Sequence, residues 1–330
     1  MSDESSPTKT DFNLGRKVFF LDPPYNFVKQ NISKLRMLEY EIYIVGDYKN
    51  IKNILLQNPH SILYIYVDSI LSKRAWINFI SSIQHTEEIK DVRIGIFTKG
   101  LTESQQNDLF TNTHIDCGII LLQGLEDTIS AAFAEQLDRN GAKGRRKYVR
   151  ADCDDIKAAQ LFITSDGKMY SLPLLNISSV GCAVEVPKNT PLYIEKNTML
   201  RGASLQLHRA IRVDLLCFAI KEEEESNTAV FLFVQASTGT KNIVREYVSI
   251  LLQKRVNDSI AKLQPDEMNY NLPLSKILGK KEEKKEEQTS TEEATEEKTT
   301  TEDKPASEQK TPASEQTTTE ETSNTADSLQ

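Results

Sequence analysis

Two short stretches, GRRKYVR at 144–150 and NISSVG at 176–181, decide how the second half of this chain is interpreted. The first stretch carries three arginines, Arg145, Arg146 and Arg150, of which the last two are four residues apart. A guanidinium group presents a planar fork of N–H donors that matches phosphate oxygens and the O6/N7 edge of guanine, and it can stack on a purine face. The arginine stretch therefore indicates recognition of phosphate and guanine groups, although a short basic string is also typical of a surface linker.

The second stretch has the spacing N-x-S-x-x-G inside an apolar, strand-like run. Asn176 can donate to and accept from the edge of a guanine, and the Ser178 hydroxyl can donate to a phosphate. Gly181 has no side chain, so a ligand or another strand can approach the backbone closely. The alternative is a bulged strand edge, at which the three residues satisfy only turn and bulge chemistry.

Strand signals fill the region between these stretches and continue to about Gly239. Many short apolar runs with polar connections are typical of a small closed β-barrel. The charged string at 221–228 is predicted to be a hairpin loop, and an amphipathic helix is predicted over roughly 241–262. The apolar face of that helix consists of Ile243, Tyr247, Ile250, Leu251 and Val256. The predicted strands are 159–165, 168–177, 180–186, 203–209, 211–220 and 230–236.

The order of these features resembles the PilZ family of cyclic di-GMP receptors over about residues 144–262. The resemblance implies a six-stranded β-barrel with a C-terminal helix, and it implies cyclic di-GMP as the ligand with no further cofactor. Many relatives have an aspartate where this chain has an asparagine in the N-x-S-x-x-G motif, and the loss of that negative charge could change affinity. The resemblance implies a cyclic di-GMP site formed by Arg145, Arg146, Arg150, Asn176, Ser178 and Gly181.

The first half alternates apolar runs with helical patterns between Lys17 and Arg139. The runs are short, β-branched and continuously apolar, as expected of parallel strands that are covered on both faces. Five such β–α repeats predict an α/β domain with a doubly wound, five-stranded parallel sheet. Their count and spacing resemble a response-regulator receiver. The predicted strands are 17–21, 41–45, 62–67, 93–97 and 118–122.

The phosphotransfer chemistry expected of a receiver is incomplete in this chain. Asp22, Asp68 and Thr98 follow the first, third and fourth predicted strands, but the second acid beside Asp22 is missing. Gln123 follows the fifth strand, where the resemblance implies a lysine. A Mg²⁺ ion would therefore have fewer hard carboxylate ligands, and a phosphoryl group would lack its cation. We interpret Asp22, Asp68 and Thr98 as a vestigial phosphoacceptor site on a scaffold kept for protein contact; the alternative is a set of ordinary polar residues that begin loops.

The composition constrains the class of partner. Residues 280–330 contain 7 lysines and 15 acidic residues, which accounts for the whole net charge of −8. The remaining residues sum to zero charge and give no basic field for a nucleic-acid polymer. The four cysteines lie in or beside apolar runs without metal-ligand spacing, so we expect buried free thiols in a reducing compartment. The N-terminus has no apolar signal core and no apolar run approaches the roughly 20 residues that span a bilayer, so we expect a cytoplasmic protein without membrane insertion.

A break rich in glycine and charge at 138–144 separates two predicted folded domains. The apolar cluster near residue 275 is expected either to dock on the body or a partner, or to be an inert extension. The acidic tail cannot offset its ordering entropy by apolar burial. The predicted segments are a flexible N-terminus at 1–15, a receiver-like α/β domain at 16–140, an arginine-bearing linker at 141–150, a PilZ barrel with its terminal helix at 151–263, a short apolar extension at 264–279 and a disordered acidic tail at 280–330.

The favoured function is a non-enzymatic cyclic di-GMP effector. Ligand binding at the linker would change the arrangement of the two domains and the interaction with an unknown protein partner. The family resemblance implies a role in motility, flagellar control or surface behaviour. One alternative is a ligand-independent PilZ-like adaptor, and a less favoured one is a phosphorylation-dependent response regulator. The sequence has no Ser/His/Asp order, Gly-rich phosphate loop or metal-ligand cluster typical of an enzyme.

Overall fold

The structure is a computed structural model that describes residues 14–153 and 156–279. The first 13 residues of the predicted flexible N-terminus and the whole predicted acidic tail at 280–330 lie outside the described residues. None of the described helices is long and apolar enough to cross a membrane.

The apolar runs of the first half form a parallel sheet with the strand order β2-β1-β3-β4-β5. Every residue of β1 and β3 is buried, because helices cover both faces of the sheet. The predicted five-stranded, doubly wound α/β fold is therefore confirmed. The strands are β1 (Val18–Leu21), β2 (Ile42–Val45), β3 (Ile62–Tyr66), β4 (Arg93–Thr98) and β5 (Ile119–Leu121).

Helices lie between these strands, as the alternation of apolar runs and helical patterns predicted. Serine, threonine and aspartate side chains cap three of them, at Asp47, Ser72 and Thr102. The helices are α1 (Tyr25–Phe27) and α2 (Ser33–Met37), which are joined by a π-helical turn (Val28–Ile32), then α3 (Tyr48–Gln57), α4 (Lys73–Gln84), a 3₁₀ turn (Glu87–Ile89), α5 (Glu103–Asn112) and α6 (Glu126–Arg139).

An aromatic cluster fills one face of the parallel sheet. Its members approach each other with ring centroids between 4.9 and 5.8 Å apart, in tilted, stacked and edge-to-face pairs. Gly95 lies opposite Tyr64 in the register, and a Cβ at this glycine would lie 2.4 Å from the Tyr64 ring. The glycine therefore makes room for the cluster, whose members are Phe20, Phe27, Tyr64, Phe97 and Phe133.

The second half forms a closed, antiparallel β-barrel of six strands. The strand order is β6-β8-β7-β10-β11-β12-β9, and additional pairing between β8 and β9 closes the ring, while β6 pairs with β8 beyond the end of β7. The predicted barrel is confirmed. The six barrel strands are β7 (Gln160–Ser165), β8 (Lys168–Ser178), β9 (Gly181–Pro187), β10 (Met199–Gln206), β11 (Ala210–Glu222) and β12 (Ser226–Val234), and β6 (Arg150–Asp152) is a seventh strand of the same sheet.

Two predicted boundaries in the barrel were wrong for identifiable reasons. β10 begins at Met199 rather than at residue 203, because a bulge between Leu200 and Ala203 interrupts its alternation of inward and outward residues. Gly202 has φ +65° within this bulge, a conformation that favours glycine. The predicted loop at 221–228 shrinks to 223–225, because strand pairing continues to Glu222 and Asn227.

The long helix α7 (Thr238–Ile260) packs against both folded parts. Its N-terminal half contributes Val244, Tyr247, Val248 and Leu251 to the barrel core, and Leu252, Val256 and Ile260 pack against the α/β core. The prediction of Ile250 on the apolar face was wrong: half of this side chain is exposed, because the buried face of the helix is formed by Val244, Tyr247, Val248 and Leu251. The barrel and the α/β part thus belong to one compact unit.

The extension at 264–279 docks on the α/β part, which decides between the alternatives left open by the sequence. Tyr270 is 2% exposed and belongs to the α/β core together with Ile277, which ends the short helix α8 (Leu274–Ile277). The Asn78 amide donates to the carbonyls of Tyr270 and Leu272 at 2.9 Å each. The chain therefore leaves the α/β part, builds the barrel and returns to complete the first core.

Phe133→Ala tests the aromatic cluster. Phe133 is fully buried against four other rings, so its truncation should lower the free energy of unfolding by about 3–5 kcal/mol. Chemical denaturation monitored by circular dichroism measures this change. Phe110→Ala is the matched control, because Phe110 is 57% exposed and its truncation should cost less than about 0.5 kcal/mol. Equal losses for the two variants would contradict the packing.

Candidate ligand site at the barrel edge

Strand pairing brings the arginine stretch against the N-x-S-x-x-G strand. β6 runs antiparallel to β8, with Arg150 opposite Ser178 and Asp152 opposite Asn176. Ala151 and Ile177 point into the barrel core, so the flanking residues on both strands point to the other face. The two stretches that are 25 residues apart in sequence therefore contribute side chains to one outer surface of the barrel.

The three predicted ligand-binding arginines are exposed and have no acidic partner among the described residues. Arg145, Arg146 and Arg150 are all exposed, and none forms an ion pair within the described part of the chain. Asn176 is half-buried, and its amide makes no hydrogen bond to any described residue. Three unpaired guanidinium groups and one unengaged amide can therefore accept a ligand without first breaking an internal contact.

Ser178 and Gly181 have structural roles at the turn between β8 and β9. The Ser178 hydroxyl is buried and donates to the Gly181 carbonyl at 3.2 Å. A Cβ at Gly181 would lie 2.2 Å from the Phe231 carbonyl oxygen on β12. The sequence left open whether a ligand or another strand comes close to this glycine, and in the structure β12 occupies the space beside it. A hydrogen bond across the turn explains Ser178 and close strand packing explains Gly181, and their contact with a ligand remains a prediction.

The arginine stretch is a strap that is fixed at both ends. At its start, the Arg16 amide donates to the Gly141 carbonyl at 2.9 Å, and the backbone at 142–144 packs closely over Gly15. At its end, the Val149 amide donates to the Glu39 carboxylate at 3.1 Å. The middle of the strap, residues 143–147, is exposed and includes Arg145 and Arg146.

Two charged residues beside the site were missed by the sequence analysis. The Glu39 carboxylate comes from the loop after α2 and accepts from Arg245 Nε on α7 at 2.7 Å. It also accepts from the hydroxyl of Ser179, inside the N-x-S-x-x-G motif, at 2.6 Å. Both charged residues are distant from the motif in sequence, so no local pattern could have indicated them.

At the vestigial phosphoacceptor site, the structure brings Asp68 and Thr98 together. The Thr98 hydroxyl lies 2.9 Å from each Asp68 carboxylate oxygen, and the Lys99 amide donates to Asp68 at 2.6 Å. Lys73, at the start of α4, forms an ion pair with Asp68 and donates to the Val67 carbonyl at 2.8 Å. Asp22 adopts φ +48° after β1. The Asp68 oxygens are therefore already engaged by three donors.

Lys73 supplies the cation that the sequence analysis did not find at the fifth strand. Gln123, which stands at the expected lysine position, donates instead to the Lys99 carbonyl at 2.7 Å. Burial alone would raise the pKa of Asp68, but hydrogen bonds from Lys73, Lys99 and Thr98 outweigh it, so this pKa lies below its ordinary value. The signal for Lys73 was its position five residues after Asp68, at the beginning of a helix.

Lys73→Met tests this ion pair through its pH dependence. Because the pKa of Asp68 is lowered in the folded protein, its stabilising contribution is present above about pH 4 and is lost as the pH falls through the lowered value. Removing the cation should raise that pKa and move acid unfolding to higher pH. NMR titration of the carboxyl groups measures the pKa, with Lys90→Met, which breaks a surface pair with Glu87, as control. An unchanged Asp68 titration would contradict the assignment.

Comparison with known proteins adds a likeness of fold. No known family model matches the chain. No curated protein matches it in sequence. Among solved structures, the PilZ domain of YcgR from Escherichia coli, solved with c-di-GMP, is 13% identical over 36% of this chain and 99% of that domain, with a TM-score of 0.32. The MrkH–c-di-GMP complex of K. pneumonia is 18% identical over 36% of this chain and 56% of that one, with a TM-score of 0.31.

The response regulator CheY4 of Vibrio cholerae is 12% identical to this chain, covering 37% of it and 99% of CheY4, with a TM-score of 0.31. With TM-scores below 0.5, these likenesses carry no argument about activity. The strand orders of the chain's own two sheets carry the assignment of fold: a 2-1-3-4-5 parallel sheet, then a closed six-stranded antiparallel barrel followed by a helix. By that architecture, the chain consists of a receiver-like α/β fold followed by a PilZ-type β-barrel.

Proposed function

We propose that this protein is a cyclic di-GMP-binding effector rather than an enzyme. The observation that carries the proposal is the register of β6 and β8, which sets Arg150 opposite Ser178 beside two further exposed arginines. The ligand contacts are assigned to Arg145, Arg146 and Arg150 from the strap and to Asn176 and Ser178 from the barrel strand. Gly181 serves the site by allowing the close strand packing that fixes the turn beside it.

The chemistry of the ligand fits these groups. Cyclic di-GMP offers two phosphates and two guanines, and a guanidinium fork can pair with either group or stack on the base. The half-buried Asn176 amide can read the donor and acceptor edge of a guanine. Residues 1–279 have no net charge, so attraction of this dianion depends on the local arginine cluster rather than on a general basic field.

Ligand binding is proposed to change the arrangement of the α/β part relative to the barrel. The strap is joined to the α/β part at Gly141 and Val149 and to the barrel through β6, so a ligand that pulls on its arginines acts on both parts. A ligand shifts such an equilibrium only by the difference in its affinity for the two arrangements. The arginine contacts supply that difference if the strap moves toward the barrel surface on binding.

We further propose that the arrangement controls the interaction with a protein partner, in motility, flagellar control or surface behaviour. The assignment to motility, flagellar control or surface behaviour rests on the resemblance of the motifs to the PilZ family. A ligand-independent adaptor would bind its partner without responding to the nucleotide. A phosphorylation-dependent regulator is less favoured, because Lys73, Thr98 and Lys99 already engage the Asp68 carboxylate; labelling with acetyl phosphate tests it.

Calorimetric titration with cyclic di-GMP tests the ligand assignment. The wild type should bind with one saturable transition. Arg146→Ala and Arg150→Ala should each lose about 1.5–3 kcal/mol of binding free energy, because each removes a charge-assisted hydrogen bond, and Asn176→Ala should lose less. None should unfold, because these side chains do not contribute to the core.

Arg212→Ala is the matched control for these variants. Arg212 is also an exposed arginine on a barrel strand, but it lies on β11, away from the β6–β8 pair. Its affinity should equal that of the wild type. Absence of binding by the wild type, or equal binding by the wild type and the Arg146→Ala/Arg150→Ala double variant, would remove the assignment.

A further inference from the structure

A single carboxylate connects the α/β part to both halves of the candidate site. Glu39 Oε2 accepts from the Val149 amide at 3.1 Å, and Oε1 accepts from the Ser179 hydroxyl at 2.6 Å and from Arg245 Nε at 2.7 Å. Val149 immediately precedes Arg150, and Ser179 immediately follows Ser178. Two hydrogen-bond partners of Glu39 are therefore adjacent in sequence to predicted ligand contacts, one in each stretch of the site.

The Glu39 side chain is held in a largely dry environment. It is 10% exposed, and the Arg245 side chain is 19% exposed. A carboxylate in such a place must be paired and hydrogen-bonded, since burying it alone is strongly unfavourable. Arg245 neutralises it and is itself oriented by Asn242, whose Oδ1 lies 2.9 Å from Arg245 Nη1. The pair is thus electrically neutral and does not oppose the approach of ligand phosphates.

The backbone of Glu39 gives a second, independent indication of its role. Glu39 has φ +65° and follows the end of α2, at a position where helices commonly place glycine or asparagine. A larger side chain is uncommon there because the left-handed conformation is strained for most residues. The backbone conformation alone would favour glycine at this position. The three contacts of the Glu39 side chain with other elements explain why a glutamate stands there.

We propose that Glu39 is a positioning residue of the nucleotide site and the element that couples ligand binding to the arrangement of the two folded parts. This inference rests on the proposed function. By bonding to Val149 and Ser179 at once, Glu39 fixes the separation of the arginine strap and the N-x-S-x-x-G turn. Because Glu39 belongs to the α/β part, the same bonds fix both halves of the site relative to that part.

The direction of the coupling follows from thermodynamic reciprocity. The Glu39 contacts hold the arrangement in which Arg150 and Ser178 face each other across paired strands. If that arrangement binds the ligand more tightly, the ligand must stabilise the Glu39 contacts by the same factor. Removing Glu39 should therefore weaken ligand binding, through loss of preorganisation, and should also uncouple binding from movement of the α/β part.

The test combines affinity with a readout of domain arrangement. Dyes are attached at Ser104→Cys on α5 and Arg212→Cys on β11, two exposed positions on the two folded parts. The four native cysteines are buried, and burial raises the pKa of the Cys117 and Cys182 thiols to about 12, so labelling should favour the introduced sites. Calorimetry gives the dissociation constant for cyclic di-GMP, and fluorescence energy transfer reports the arrangement.

Glu39→Ala should raise the dissociation constant about fivefold or more and abolish the ligand-induced change in energy transfer. Glu39→Gln keeps the shape and one acceptor, so it should show an intermediate effect, and it keeps the test valid if the alanine variant fails to fold. Glu135→Gln, which alters an exposed glutamate paired with Arg139, should behave as the wild type.

A charge exchange separates this role from that of a simple ion pair. Glu39→Arg/Arg245→Glu restores opposite charges but places a donor against the Val149 amide and the Ser179 hydroxyl, which both need an acceptor. The double variant should therefore not recover affinity or the change in energy transfer. Recovery of both would overturn the assignment of Glu39 as the acceptor that positions the two strands.

Further outcomes distinguish the two proposals from each other. No binding by the wild type overturns the proposed function and this inference with it. Binding by the wild type, together with unchanged affinity and energy transfer in both Glu39 variants, overturns this inference alone, even if the thermal midpoint falls. Tighter binding by Glu39→Gln would also overturn it, because the carboxylate would then compete with the ligand.

Discussion

The antiparallel pairing of β6 with β8 is the constraint on which the candidate site depends. These strands pair over three residue pairs, which sets Arg150 opposite Ser178 and sends the exposed Arg150 side chain to the outer face. Because the side-chain period of a strand is two, a shift of one residue would turn Arg150 into the barrel core and Ala151 outward. The burial of Ala151 and Ile177 makes that shift unfavourable. The hydrophobic core thus fixes the position of the arginines.

The return of the chain holds the two folded parts together. Helix α7 contributes residues to both cores, and its Gln253 side chain bonds to the backbone of Ile44 at the edge of the parallel sheet, with N–H and C=O contacts of 2.8 Å each. The Gln253 amide thereby pairs with the backbone N–H and C=O of an edge-strand residue, as a neighbouring strand would. Tyr270 then completes the α/β core. Any change in domain arrangement must break or strain some of these contacts. Glu39 also contacts α7, through Arg245.

The elements that the sequence predicted well are those whose signal is local. Continuous apolar runs such as Phe19–Leu21 identified parallel strands, because burial on both faces leaves no polar alternation. The break between the predicted strands 168–177 and 180–186 matches the β8–β9 turn, which a hydrogen bond from Ser178 to Gly181 closes. Local patterns failed where a bulge hid the start of β10, and where Ile250 lay between two buried residues of α7. The role of Glu39 depends on contacts that only the folded chain creates, so no local spacing could indicate it. Lys73 had one local signal, its position five residues after Asp68 at the start of a helix.

The central claim is that the arginine strap and the Asn176 strand form one site for cyclic di-GMP, and NMR of the side-chain N–H groups tests it most directly. On addition of the nucleotide to the full chain, the resonances of Arg146, Arg150 and Asn176 should shift together and saturate at the same ligand ratio. Those of Arg212, on a distant barrel strand, should not move. Shifts confined to one strand, or no saturable shift in any of the three, would contradict the account.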